Sequence, residues 1–191
     1  MKMKQLALVV GMACCAGAAQ ADLESDAYAH VYVDVVSNIA VRANTSLVDA
    51  GDVQTGAFTA TIEFRVDANH EDVDLACYAS DLWKGDDPNG TEVTPIPLLF
   101  GAGCLIDPIN ANPTAGASPV AAFDESKTST IYGFPAYGTN AINFESSQNG
   151  HFSQEVYVTV AWNQDDPEKP KGEYSGVVAL YGMIPEGDAY Q

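Results

Sequence analysis

Positive charge is scarce in this chain. Eight Lys and Arg stand against 26 Asp and Glu, a net charge of −18. So acidic a surface repels phosphate backbones and anionic lipid, whose protein partners carry basic patches, so nucleic acid is not an expected partner. Long apolar runs are few. Leu6 to Gly17 covers about 12 residues, short of the roughly 20 that cross a bilayer, and no second run is longer, so membrane insertion is not expected either. Histidine is rare, and His30, His70 and His151 fall into no metal-binding spacing such as HExxH. There is no G-x-S-x-G elbow, no CxxC pair, no phosphate-cradling glycine loop and no dinucleotide fingerprint. Ser146 and Ser147 lie near His151, but SSQNGH reads as a hairpin turn. With no constellation that dictates a reaction, the expectation is a protein that is not an enzyme.

What is present begins with an export signal. Lys2 and Lys4 precede the apolar run, and Ala19-Gln20-Ala21 supplies small residues at the −3 and −1 positions of a signal-peptidase site. Residues 1–21 are therefore expected to be removed. Two other readings of this segment compete. A membrane anchor is disfavoured by its length. A lipoprotein signal at Cys14 or Cys15 is disfavoured by Gly11 and Met12, which stand where leucine is wanted. Cleavage before Asp22 leaves six Lys and Arg against 26 Asp and Glu, a charge of −20. The expected location is secreted, periplasmic or on the cell surface. Residues 22–191 suffice for a single domain that buries roughly 70% of its unfolded surface. Two cysteines remain, Cys77 and Cys104. In an oxidising compartment they are expected to pair, closing a loop of about 28 residues at roughly 3–4 kcal/mol of chain entropy. Two free buried thiols are the alternative.

The dominant pattern has period two. In residues 57–68, Phe58, Ala60, Ile62, Phe64 and Val66 alternate with Thr59, Thr61, Glu63, Arg65 and Asp67. This is the signature of a half-buried strand. Residues 27–36, 72–79, 152–162 and 173–184 repeat it, with shorter candidates at Ile39–Ala43, Ile96–Phe100 and Ala141–Glu145. Val73, Leu75, Cys77 and Ala79 are expected inward, as are Phe152, Val156, Val158, Val160 and Trp162. No helical period is sustained. Gly, Asp, Pro and Asn clusters separate the strands, and residues 107–120 (DPINANPTAGASPV) are expected to form a long surface loop. The predicted fold is all-β: an Ig-like antiparallel β-sandwich of about 7–9 strands. Within KPKGEYSGVVAL, Tyr174 has the setting of a tyrosine corner.

Two candidate ligand features remain. Trp83 and Trp162 each open a W-x-x-D-D-P segment, whose aspartates are Asp86 and Asp87, and Asp165 and Asp166. Asp-Asp-Pro is turn chemistry first. Its functional reading is a Ca²⁺ site, for which neither loop alone supplies six to eight oxygens; no other cofactor is expected. Tyr28, Tyr32, Tyr132, Tyr137, Tyr157, Tyr181 and Tyr190 would serve carbohydrate if they lined one exposed face, although tyrosine is also a favoured strand residue.

The signal peptide, the single disulfide, the alternating strands, the late strand Gly172 to Leu180 (GEYSGVVAL) and the leading arm Ala27–Val36 together resemble exported β-sandwich subunits of bacterial surface fibres. The groups named by this resemblance are the chaperone–usher pilins and the spore-coat-U-like proteins. The resemblance implies a fimbrial or adhesive role and self-assembly or assembly with other fibre subunits. The arm would complete a neighbour's sandwich, with Ala29, Val31, Val33 and Val35 as the inserted residues. The chain departs from the pilin pattern at its end, where Pro185 and Gly187 interrupt strand pairing, and in the placement of its cysteines. A secreted Ca²⁺- or carbohydrate-binding module is the alternative function.

Overall fold

The computed structural model describes residues 32–33, 35–90 and 92–185. The chain divides into two units after Asp34, and the fold below is that of the second. The expected signal segment 1–21, Tyr28, Ala29, His30, Val31 and Tyr190 lie outside the described residues.

Thirteen strands are present, with two short 3₁₀ turns and no α-helix among the described residues. They are β1 (Ile39–Ala43), β2 (Gly56–Ala68), β3 (Asp72–Ser80), β4 (Trp83–Lys84), β5 (Cys104–Pro108), β6 (Ala111–Pro113) and β7 (Val120–Ala121). Then follow β8 (Phe123–Ile131), β9 (Phe134–Thr139), β10 (Ile142–Ser146), β11 (Phe152–Gln164), β12 (Tyr174–Ser175) and β13 (Val178–Met183). One sheet has the order β1-β2-β11-β5-β7. In the other, β3 pairs β13 on one edge and β10 then β9 on the opposite edge, with β6 outside β10 and β8 outside β9. β4 and β12 form a separate two-stranded sheet. All pairings are antiparallel.

The two large sheets pack face to face because their alternating strands each have one apolar face. Phe64 and Val66 of β2, Val73, Leu75, Cys77 and Ala79 of β3, and Phe152, Val156, Val158, Val160 and Trp162 of β11 all enter one buried cluster. Every inward position expected on β3 and β11 is buried. The Cys77–Cys104 disulfide joins β3 to β5, across the two sheets, with Cα atoms 6.6 Å apart. Trp162 makes a second crossing: its Nε1 donates to the Ser80 carbonyl at 2.9 Å.

Several expectations are corrected. Residues 107–120 are not one loop. The end of β5, β6, the 3₁₀ turn Thr114–Gly116 and the start of β7 divide them, because Pro108 and Ala111 are buried against β11 and β10. The stretch Ile96–Phe100 makes two isolated bridges, Leu82 to Ile96 and Leu98 to Trp162, before a 3₁₀ turn takes over at Phe100. The strand expected over 173–184 is broken at Gly176, which packs on Ser80 Oγ and the Asp81 carbonyl too closely for any Cβ. The strand number exceeds 7–9, partly because the exposed β8–β9 hairpin has no period-two signal.

Candidate functional site

Three places collect polar or exposed groups. The first is the open edge at which β1 and β13 meet. Among the described residues, β1 pairs only with β2 and β13 only with β3, so each is an edge strand. The two belong to different sheets and lie against each other. A Cβ built at Gly182 of β13 would come 2.8 Å from Ile39 Cδ1 and 3.0 Å from Val41 Cγ2 of β1. Tyr32, Val33, Val35 and Val36, just before β1, are 79–83% exposed and carry no strand assignment. Asn69 holds the end of this lead-in: its Nδ2 donates to the Val36 carbonyl at 2.9 Å, and its Oδ1 accepts from the Asn38 N–H at 2.6 Å.

The second place is the outer face of the first sheet. Both arginines of the chain converge on Asp67 there. Arg42 reaches its Oδ2 at 3.3 Å and Arg65 its Oδ1 at 2.9 Å, and Arg65 also pairs with Glu155 at 3.2 Å. The Ser153 hydroxyl donates to Asp67 Oδ1 at 2.7 Å. That hydrogen bond and those from Arg65, with the Arg42 charge nearby, hold the Asp67 carboxyl below the usual carboxylate range. Asp67, Ser153 and His151 share an open depression of about 350 Å³ with Asn38, Ala68 and Asn69. They are not arranged as a triad. Ser153 bonds the carboxylate directly and accepts from Arg65 at 2.5 Å, while His151 Nδ1 faces the Asn149 carbonyl at 3.1 Å. The base-to-hydroxyl contact that would activate a serine is not made. Ser147 is likewise engaged, donating to the Asn110 carbonyl at 3.0 Å.

The third place is the pair of Asp-Asp-Pro segments, the first of which is tied to β12 and the residue before it. Gly85 N–H donates to the Glu173 carbonyl at 3.0 Å, and Ser175 Oγ donates to Asp86 Oδ1. The aspartates serve their own turns. Asp87 Oδ1 accepts from the Asn89 N–H at 3.0 Å, Asp166 Oδ1 accepts from the Glu168 N–H at 2.9 Å, and Asp165 is exposed. The Lys169 cation lies beside Asp166 of the second segment. Its side chain is 9% exposed, and its Nζ donates to Thr94 O at 3.2 Å, Thr94 Oγ1 at 3.1 Å and Pro95 O at 3.4 Å, with Asp166 Oδ2 at 3.8 Å. Among the described residues no group of three or more His, Cys, Asp or Glu is placed to hold a metal ion.

Tyr174 Oη donates to the Pro170 carbonyl at 2.9 Å, four residues upstream. Among the described residues, Tyr132, Tyr137, Tyr157 and Tyr181 do not share a face. Tyr157 lies on the outer face of the first sheet and Tyr181 on that of the second. Tyr137 turns inward to stack edge-on against Phe100 at 4.9 Å. Tyr132 caps the β8–β9 hairpin, 93% exposed. Tyr78, which the alternation of β3 alone does not single out, packs against Tyr181 with ring centroids 5.0 Å apart. At the junction of β3 and β4, Asp81 Oδ1 accepts the Leu98 N–H at 2.7 Å, and burial pushes its carboxyl up.

No protein-family model matches the chain, and no curated protein is similar enough to count as a relative.

Proposed function

We propose that this chain is an exported, non-enzymatic structural or adhesive protein of a bacterial surface, a pilin-like fibre subunit that assembles by strand addition. An Ig-like topology of the two sheets belongs to the same proposal. The observation that carries it is the exposed apolar lead-in to an open sandwich edge. Val35 and Val36, immediately before β1, are 79–80% exposed. Covering a Val side chain is worth about 1.5–3 kcal/mol, so a partner that buries several gains substantial affinity. The edge strand β13 offers backbone N–H and C=O groups of the kind that accept an added strand. The inter-sheet disulfide agrees with folding in an oxidising compartment, outside the cytoplasm. Residues 27–36 of one copy, led by Ala29, Val31, Val33 and Val35, are the donor in this reading, and a second copy or another fibre subunit is the acceptor.

The test is a Val33→Asp, Val35→Asp double variant of the mature protein, followed by native electrophoresis across a concentration series. The reading expects ladders of assembled species in the wild type, their loss in the variant and an unchanged thermal midpoint for the monomer. Assembly that survives both charges would refute it.

A further inference from the structure

The outer faces of the two large sheets differ in kind. The first carries the Arg42–Asp67–Arg65–Glu155 network. The second carries two aromatic rings on a floor of small residues. β3 sets Asp74, Ala76 and Tyr78 outward, and β13 sets Met183, Tyr181 and Ala179 beside them in register. On the other edge of β3, Asn143 pairs with Asp74 and Gly138 with Tyr78. Gly138 is required for this arrangement, since a Cβ there would meet Tyr78 Cε1 and Cζ at 2.6 Å. With no side chain beneath it, the Tyr78 ring lies down over the strand. Tyr181 leans against it at 58° and stays 48% exposed.

We propose that this face binds a neutral glycan, with Tyr181 and Tyr78 stacking on the apolar face of a pyranose ring and the Asp74–Asn143 pair receiving its hydroxyls. Four observations argue for that occupant. Rings held by packing on the sheet present apolar area at little entropic cost. The polar pair stands one strand repeat, roughly 7 Å, along β3 from the position opposite Tyr181, and two repeats, roughly 14 Å, from Tyr78, a span for the hydroxyls of successive sugar units. Asn143 Nδ2 donates to Asp74 Oδ1 at 2.9 Å, so a carboxylate and a carboxamide are held side by side beside the rings. Finally, Asp72 and Glu145 pair on the same face, and a uronate or sulfated chain would meet three carboxylates there. A neutral chain rich in hydroxyl donors matches that field. This inference does not depend on self-assembly, since the rings lie on a sheet face and the proposed added strand lies at an edge.

The experiment is a titration of the mature protein with soluble cello-, xylo-, chito- and mannohexaose, and with an oligogalacturonate of equal length, followed by isothermal calorimetry and tyrosine fluorescence. Saturable binding of at least one neutral hexasaccharide is expected, with the oligogalacturonate weaker. Tyr181→Ala and Tyr181→Leu should each weaken it roughly tenfold, and Tyr181→Phe should preserve it. The leucine variant retains apolar cover over Ala76, so its loss of binding at an unchanged thermal midpoint reports the ring and not the fold. No saturable binding to any neutral chain overturns the proposal. Equal or tighter binding of the oligogalacturonate overturns it, and so does binding that Tyr181→Leu leaves intact.

Discussion

Ile39 of one sheet rests directly on Gly182 of the other, and no side chain larger than hydrogen fits between them: an added Cβ would approach Ile39 Cδ1 to 2.8 Å. This contact brings the two edge strands together. Gly182→Val should force β1 and β13 apart and destabilise the fold by about 1–3 kcal/mol, the range for overpacking. Urea unfolding of the mature protein measures this directly. An unchanged midpoint would mean that the two edges are not in contact.

The disulfide joins the sheets at another point, between two fully buried cysteines. Replacing both, Cys77→Ser with Cys104→Ser, should cost roughly 3–4 kcal/mol through the freed unfolded chain. The expected outcome is a lower urea midpoint with the native circular dichroism retained before the transition.

Two aspartates should give opposite pH signatures. Asp67 is held below its ordinary pKa, so its contribution is present above about pH 4 and is lost as pH falls through its lower folded value. Its side chain is partly exposed, so solvent screening keeps the effect small, well under about 1 kcal/mol. Asp81 is raised by burial, so its ionised form opposes folding at neutral pH and stops doing so as pH drops through its folded value. Asp81→Asn keeps an acceptor for the Leu98 N–H. It should raise the unfolding midpoint at pH 7 and leave it unchanged at pH 3, whereas Asp67→Asn should lower it at pH 7 only. Thermal melts at both pH values decide each case.

Lys169 supplies the cation beside Asp166 of the second Asp-Asp-Pro segment. Lys169→Met should leave Asp166 and the Thr94 and Pro95 carbonyls without their donor, at a cost of about 1–3 kcal/mol. Millimolar Ca²⁺ or EDTA should leave the wild-type melting temperature unchanged. A Ca²⁺-dependent rise would instead support a calcium site at Asp86, Asp87, Asp165 and Asp166.

The β8–β9 hairpin turns through Tyr132 at φ 49° and Gly133 at φ 89°, the two positive angles of a type I′ turn. Tyrosine is poorly suited to the first of these positions. Tyr132→Asn should therefore stabilise the domain by about 1 kcal/mol, read as a higher urea midpoint.

Legibility in the sequence followed burial. β2, β3 and β11 were readable because each is long with one face turned to the core, so apolar and polar residues largely alternate, with Gln154 a polar exception on the inward face of β11. β8 was not, because Glu125 to Thr130 are exposed on both faces and a register shift between Asp124 and Thr128 breaks its pairing. β5 and β6 were hidden by Pro108, Asn112 and Pro113, residues that read as loop, although all three pair in the ladders and Pro108 and Ala111 are buried. The site was legible only in part. Tyr174 announced its own hydrogen bond because its partner Pro170 is four residues away. The Tyr78–Tyr181 pair and the Lys169 junction depend on sheet register and on loops distant in sequence, which local spacing does not carry.

The measurement that bears most directly on the central claim is size-exclusion chromatography with light scattering on residues 22–191 and on the same protein lacking residues 22–36. The account predicts concentration-dependent assembly by the longer chain and a folded monomer at every concentration for the truncated one. A longer chain that stays monomeric throughout would contradict strand addition between copies, and so would a truncated chain that still assembles.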